Sequence, residues 1–422
     1  MRQAGRVAAA IEIITEIFDR NRPASEALRD WGKAHRFAGS GDRHVIGTLV
    51  FDCLRNKNMA AAQAGSDAAR GLVLGTLVQV WKLPVTEIET LCTEQFGPGA
   101  LSETERKSLS TPLDHLPDFI AGNFPQWLEP QLRAVFGKHL VVEMQALSQR
   151  APIDLLVNTL KATRETVLES MSKFNAIVTA ISPLGIRIAA PGIEARNINV
   201  EAEPAHGLGQ FEVQDEASQI AALVAAPKPG QSALDLCAGA GGKSLALAAL
   251  MENQGRVFAH DRDKHRLRPI FERITRAGAT CIEVIAADEQ HKLARGGGYD
   301  MVVVDAPCTG SGTWRRKPDA KWRLGEKQLQ VRLHEQAAVL SQAAPLVKKG
   351  GKLVYFTCSI LPAENRQQVD AFLASNKGFK IVPYKEQWSE APKSADGSKE
   401  TLQLTPHQHN TDGFFAAVMV KS

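Results

Sequence analysis

The sequence predicts an α/β protein: a doubly wound, mostly parallel seven-stranded sheet, preceded by a small α/β module and an all-α N-terminal domain. Three observations carry this. From about Phe211 onward, strand-like runs at Ala233–Leu236, Arg256–Asp261, Ile282–Asp288, Met301–Asp305, Lys352–Thr357, Phe379–Val382 and Phe414–Val420 are mostly separated by helical patterns. Such alternation marks a parallel sheet covered by helices. Met301–Val304 is an unbroken apolar run, as expected of a strand buried on both faces. The first 110 residues instead show apolar positions at helical spacing.

Length and composition bound the rest. A chain of 422 residues holds two or three domains at ~150 residues each; the expected spans are 1–110, 111–205 and 206–422. The net charge is +4, with 50 Lys and Arg against 46 Asp and Glu, too small to identify a nucleic-acid partner unless the charge is clustered. The six cysteines form no C-x-x-C pair, so a disulfide framework or zinc site is not expected. Glu12, Glu16 and Asp19 interrupt the first apolar stretch, which argues against a secretory leader. With no apolar run of membrane-spanning length, the chain reads as a cytosolic protein with reduced thiols, no metal and no membrane partner. A monomer is the default.

Taken in order, Val7, Ile11, Ile14, Ile17 and Phe18 form the first helical stripe, and helical patterns recur at Arg43–Leu54, Ala68–Trp81 and Val85–Phe96. Residues 1–110 carry 14 Lys and Arg against 13 Asp and Glu, so this domain is not a basic clamp. Prolines 112, 117, 125 and 130 mark a connector. Asp154–Leu160 then alternates as a strand, Arg164–Phe174 is helical, and Ile186–Ile188 is a second short strand. Asn158 and Lys161 sit on or near the first of these; a surface position without a binding role is the plainer expectation for both. His407 and His409 read as surface histidines, since no third ligand accompanies them.

The first strand–turn–helix of the large sheet carries Asp235-Leu-Cys-Ala-Gly-Ala-Gly-Gly-Lys-Ser244. Its glycines allow a sharp turn and close approach of a ligand to a helix N-terminus. A P-loop would need glycine at position 237, which is Cys237, and a dinucleotide fingerprint would need glycine at Ser244. An adenosine-type cofactor without a pyrophosphate is left. Asp261, at the end of the second strand, is placed to accept from ribose hydroxyls. Asp288, ending the third, is a candidate for the adenine amino group.

The fourth strand runs into Asp305-Ala-Pro-Cys308 and the fifth into Thr357-Cys-Ser359. Two thiols beside a methyl-donor site suggest pyrimidine chemistry. Carbon-5 of a pyrimidine is too weak a nucleophile to take a methyl group unaided, and a thiolate adding to carbon-6 activates it. A free thiol is only a few per cent ionised at neutral pH, so the site must favour deprotonation of one cysteine. Asp305 is placed to hydrogen-bond the ring. Chemistry alone does not choose between Cys308 and Cys358 as nucleophile.

Together with Phe211–Gln219 and Thr411–Phe415, these segments resemble the RsmB/Nop/Sun family of RNA cytosine-5 methyltransferases over roughly residues 140–421; the first domain more weakly resembles the NusB-like extension of bacterial members. The resemblance implies a Rossmann-like S-adenosylmethionine-dependent methyltransferase domain forming 5-methylcytosine, with 16S ribosomal RNA as partner. It implies that the middle module binds RNA. It assigns Cys358 as nucleophile and Cys308 to product release. Cys237, Ala238, Gly239, Ala240, Gly241, Gly242, Lys243, Asp261, Asp288 and Asp305 would line the S-adenosylmethionine site. Ala240 departs from the proline common in the family, which implies a more flexible turn.

Charge clusters after the Pro-Cys element: residues 309–352 hold ten Lys and Arg against three Asp and Glu. Within this stretch Trp314, Arg315, Arg316, Lys317, Lys321 and Arg323 alternate cations with aromatic rings, as expected of an RNA-facing segment. A base inside a duplex cannot reach a thiol, so the target should be unpaired or flipped out. A tRNA target is the alternative within the same chemistry. A non-catalytic RNA-binding assembly factor is the alternative from another class. Methylation of an exocyclic amino group is disfavoured, because Asp-Ala-Pro-Cys replaces the Asn/Asp-Pro-Pro-aromatic element of such sites.

Overall fold

The computed structural model describes residues 1–190, 192, 198–294 and 296–422. They divide into two compact units, one built on residues 1–150 with 314–324, the other on 151–190, 199–313 and 325–422.

The first unit is all-α. Helices Gln3–Asp19, Ser40–Arg55 and Ala69–Gln79 pack around Ile13, Ile14, Leu49, Val50, Cys53, Leu72 and Leu77. The apolar spacing read from the sequence is the stripe that faces this core. Gly75 permits the closest crossing: a Cβ there would lie 2.1 Å from the carbonyl oxygen of Ala60. The helical unit does not stop at residue 110, since Glu129–Phe136 and Leu140–Ala146 belong to it. Arg150 and Arg55 pair with the buried Asp52 at 2.6 and 3.2 Å.

Residues 314–324 also belong to this unit. Trp322 donates its indole N–H to the Leu54 carbonyl at 2.6 Å, and Lys321 Nζ reaches the Arg55 carbonyl at 3.2 Å. Trp314, Arg315 and Lys321 are 1%, 3% and 1% exposed. The expectation that these three face RNA is therefore corrected: large rings and a long methylene stem gain more from burial than from solvent. Burial also pushes Lys321 down to about 7, which weakens it as a phosphate contact. Lys317 is exposed, Arg316 is half-buried, and Arg323 pairs with Asp319 at 2.8 Å.

The second unit contains two sheets. Strands β1 (Ile153–Val157), β2 (Ile177–Val178), β3 (Gly185–Ile188) and β4 (Phe211–Val213) form an antiparallel sheet of order β2-β3-β1-β4. The strand β4, expected to open the large domain, instead pairs Leu155 with Val213 and Val157 with Phe211, so a boundary at 205/206 cuts ahead of the small sheet's last strand. A buried ion triad joins that sheet to the next helix, Glu216–Ala225: Arg187 bonds Asp154 at 2.6 Å and Glu216 at 3.2 Å. Asn158 is buried and donates to the Gly209 and Ala277 carbonyls, both at 2.8 Å; its role is to join segments, and it is not a surface residue.

The large sheet has strands β5 (Ser232–Asp235), β6 (Arg256–His260), β7 (Ile282–Ile285), β8 (Tyr299–Asp305), β9 (Val347–Thr357), β10 (Phe379–Val382), β11 (Leu402–Leu404) and β12 (Phe414–Lys421). Its order is β10-β12-β9-β8-β5-β6-β7, with β11 added on β12. The seven expected strands are present; the three-residue β11 is an eighth, too short to show an alternation in sequence. The pairs among β5 to β9 are parallel, and β12 runs antiparallel to β9.

Strand β8 shows why its apolar run is continuous. Met301 and Val303 belong to one core cluster, with Ile220, Leu247 and Met251. Val302 and Val304 belong to another, with Leu340 and Val369. Both faces are covered from Met301 to Val304, so none of these four positions is polar, and Asp305 emerges at the strand's carboxyl end. Among the described residues, no helix is long and apolar enough to cross a membrane.

Candidate active site

The site assembles where β5, β6, β8 and β9 end. After β5 the chain turns through Leu236–Gly241 into the helix Gly242–Leu250. Gly241 has φ +88°, and a Cβ there would lie 2.5 Å from Ile270 Cγ1, so both conformation and space require glycine. Asp261 closes this turn by accepting the Gly239 N–H at 2.9 Å and the Asp263 N–H at 2.9 Å. Arg273 anchors the far side by donating to the Ala240 carbonyl at 2.8 Å. Ala238, Gly239, Ala240, Gly241 and Gly242 thus form a fixed turn with its own hydrogen bonds, held even though alanine stands at 240.

Beneath it lies a cleft of about 120 Å³ lined in part by Leu236, Cys237, His260, Asp261, Gln290, Pro307 and Val339. The lining combines an apolar wall with polar groups that include Asp261, Glu335, Arg262 and Arg266: Leu236, Pro307 and Val339 would flank an adenine base, and Asp261 would receive the ribose hydroxyls. Burial pushes the Cys237 thiol up, so it lines the cleft as an apolar, unreactive group. Asp288 is exposed and is not among the lining residues, whereas Gln290 is. The reason is that β7 stops at Ile285 and the chain turns before Asp288. Gln290 carried no sequence signal, because it sits in a short 3₁₀ turn with no motif.

Beside the cleft, Asp235 is fully buried and accepts from Ser244 Oγ at 2.7 Å; burial pushes its carboxyl up to about 7. Lys243 is not among the residues lining that cleft. Its ammonium lies 3.4 Å from Asp305 Oδ2, bonds Ser218 Oγ, and sits 4.7 Å from the Phe414 ring centroid. The lysine expected with the cofactor loop is therefore also the cation that faces Asp305. Asp305 keeps a third of its side chain exposed, so it is reachable from solvent.

The two cysteines meet. Cys308 Sγ and Cys358 Sγ are 3.4 Å apart, both thiols free. The parallel pairing of β8 with β9, which sets Asp305 opposite Phe356, brings the two strand ends to one level. The loop after Cys308 is then stitched to the loop after Cys358. Gly312 donates to the Cys358 carbonyl at 3.0 Å, Ser311 and Ser359 share a hydrogen bond of 2.9 Å, and Gly413 donates to the Gly312 carbonyl at 2.8 Å. A Cβ on Gly312 would lie 1.9 Å from the Gly413 carbonyl oxygen. Hydrogen bonding to Cys358, then burial, then the nearby charges of Cys358 and Glu364 hold the Cys308 thiol well above its ordinary range.

Among the described residues no three His, Cys, Asp or Glu side chains group as metal ligands. His409 is buried, accepting from the Thr405 N–H at 3.1 Å and donating to the Lys393 carbonyl at 2.8 Å. It is a structural histidine rather than a surface one, while His407 is exposed.

Comparison with known proteins gives a consistent pattern. The family model described as 16S rRNA methyltransferase RsmB/F matches residues 222–420, and that of an RsmF/B-like ferredoxin-like domain matches residues 124–193. The chain is 33% identical over 311 residues to a probable ribosomal RNA small subunit methyltransferase B of Synechocystis sp., covering 71% of this chain and 67% of that protein. It is 33% identical over 327 residues to ribosomal RNA small subunit methyltransferase B of Shewanella oneidensis, covering 77% and 72%. Among solved structures, that of PH0851 superposes over 100% of this chain and 99% of its own, with 26% identity and a TM-score of 0.77. The fold is shared with NSun6 from Pyrococcus horikoshii, solved with SFG, at 23% identity and a TM-score of 0.62 over 71% of this chain and 98% of that one.

Proposed function

Since the chain belongs to the RsmB/F family of 16S rRNA methyltransferases, we propose that it methylates carbon-5 of a cytosine in 16S ribosomal RNA, using S-adenosylmethionine and a covalent adduct on Cys358. The observation that carries this reading is the 3.4 Å approach of Cys308 and Cys358 beside Asp305. An exocyclic amino group needs no thiol, and a lone nucleophile needs no second one. Two thiols in contact suit a reaction that must first form and then break a carbon–sulfur bond.

S-adenosylmethionine supplies an electrophilic methyl group when bound. The residues that would hold it are Cys237 to Gly242 and Asp261, with Gln290 on the cleft wall in place of Asp288. Cys358, as thiolate, adds to carbon-6 of the cytosine while the ring nitrogen takes a proton from water, and Asp305 accepts from that new N–H and from the amino group, stabilising the protonated ring. Lys243 compensates the Asp305 charge at 3.4 Å. Once carbon-5 is methylated, water in the site takes the carbon-5 proton, the C–H electron pair forms the 5,6 double bond, the Cys358–carbon-6 bond breaks with its pair returning to sulfur, and the ring nitrogen gives back its proton. Cys308, in contact with that sulfur, assists this release. Lys317 is the proposed phosphate contact from the basic segment, and the small sheet around β1 is the proposed RNA-binding module.

Incubating the protein with 16S ribosomal RNA and S-adenosylmethionine, then locating the product by bisulfite sequencing, tests the reading. A single protected cytosine is the expected result. Tight RNA binding with no methyl transfer to 16S RNA or to assembling subunits would overturn it in favour of an assembly factor, and transfer only to tRNA would replace the substrate.

A further inference from the structure

Glu364 is fully buried, lies on a turn six residues past Cys358, and is not part of the cofactor cleft. Its carboxylate accepts four hydrogen bonds. Thr309, the residue after Cys308, donates its N–H at 2.8 Å and also its hydroxyl. Ser359, the residue after Cys358, donates its hydroxyl, and Gln336 donates from the helix Glu326–Ala343 at 3.0 Å. Gln336 also donates to the Pro307 carbonyl at 3.0 Å, and Tyr355 donates its hydroxyl to the Glu364 carbonyl at 2.6 Å. One buried anion therefore draws together both thiol-bearing loops, the strand that leads to Cys358 and the helix behind Cys308. Its neighbour Asn365 repeats the pattern on the other side, accepting from Thr357 Oγ1 at 2.5 Å and donating to the Ser359 carbonyl at 2.9 Å.

A buried carboxylate that takes four donors has its hydrogen-bonding capacity met. Its charge disfavours a second negative charge on the adjacent thiol. The groups that act on Cys308 are Cys358, the Glu364 carboxylate and the Gly310 N–H. Only the last favours a thiolate.

We propose that Glu364 is a positioning residue that holds the Cys308 and Cys358 loops in contact and keeps Cys308 a neutral thiol while Cys358 serves as nucleophile, a role that rests on the cytosine methylation proposed above. This explains how two chemically identical groups 3.4 Å apart divide their tasks. Cys308 retains a proton that it can share with the departing Cys358 sulfur.

The test reads Cys308 directly, without RNA or methyl transfer. In a Cys358→Ser background, the rate of iodoacetamide alkylation at Cys308 is followed against pH by peptide mass spectrometry, with and without Glu364→Gln. Glu364→Gln is expected to lower the pH midpoint and raise the rate at pH 7.5 about tenfold, since one pH unit is a tenfold change in thiolate fraction. Glu364→Asp, which keeps the charge but retracts it by one methylene, should leave that rate within about threefold of the parent. In the otherwise native chain it should slow methylation at least tenfold. An unchanged alkylation profile in Glu364→Gln overturns the proposal. If Glu364→Gln does not fold, equal methylation by Glu364→Asp and the native chain overturns it; if neither variant folds, Glu364 serves the fold alone and the proposal also falls. A native protein that alkylates as expected but forms no 5-methylcytosine would refute the proposed function and leave the charge effect standing.

Discussion

The sulfurs of Cys308 and Cys358, fifty residues apart in the chain, stand 3.4 Å from each other at adjacent strand ends. Contact at that distance lets one thiol act on a bond made by the other. Cys358→Ala is expected to abolish any covalent RNA–protein species and all methylation. Cys308→Ala should instead accumulate an adduct carrying methylated RNA. Denaturing gel electrophoresis after incubation with RNA and S-adenosylmethionine distinguishes them. An adduct in the Cys358 variant and none in the Cys308 variant would exchange the two roles.

Asp305 and Lys243 form a charge pair open to the site on the Asp305 side. Asp305→Asn removes the charge that stabilises addition while preserving shape, and should slow single-turnover methylation by about 10²–10³-fold, the range for loss of one preorganised electrostatic contact. A change of less than fivefold would remove Asp305 from the reaction.

Lys321 contributes a pH dependence to the helical unit. Burial places its folded-state value at about 7, below the 10.5 of a free lysine. The unfolded chain therefore binds more protons between pH 7 and pH 10.5, and stability from this group rises with pH across that window. Lys321→Met should flatten the rise, with a difference in pH response of roughly 4 kcal/mol between pH 7 and pH 10. Urea unfolding at both pH values, followed by tryptophan fluorescence, measures it; parallel curves for the two proteins would refute it.

Arg187 satisfies two buried carboxylates, Asp154 and Glu216. Removing one member of such a group leaves uncompensated charge. Arg187→Met should cost about 3–5 kcal/mol, while Arg187→Met combined with Asp154→Asn and Glu216→Gln should recover at least half of it. A loss below 1 kcal/mol in the single variant, by denaturant titration, would show that the triad is not needed to join β1 and β3 to the Glu216–Ala225 helix.

The parallel sheet was legible because both faces of Met301–Val304 in β8 and of Leu353–Phe356 in β9 are buried, and that leaves continuous apolar runs. The site loops were legible because tight turns demand glycine and because Asp305, Cys308 and Cys358 interrupt apolar strands where the backbone emerges. In the segment from Trp314 to Arg323, the expected RNA-facing role does not hold for Trp314, Arg315 and Lys321, which are buried. A run of cations and rings has the same composition whether it faces RNA or packs on a helical core, and only the partner surface decides. Glu364 and Gln290 lie on short turns with no periodicity, so nothing local distinguishes them from ordinary polar positions.

Strand and helix order, the glycine turn after β5 and the two thiol-bearing strand ends are legible from sequence alone, since they follow from local periodicity, backbone conformation and residue chemistry. Tertiary structure alone decided that the thiols touch, that Lys243 faces Asp305 and that β4 completes the small sheet. It also decided that one buried carboxylate holds both thiol loops. Each of these depends on strand register and on which buried polar groups find partners, quantities set by residues tens of positions apart and by the cost of leaving a buried charge or hydrogen bond unmet.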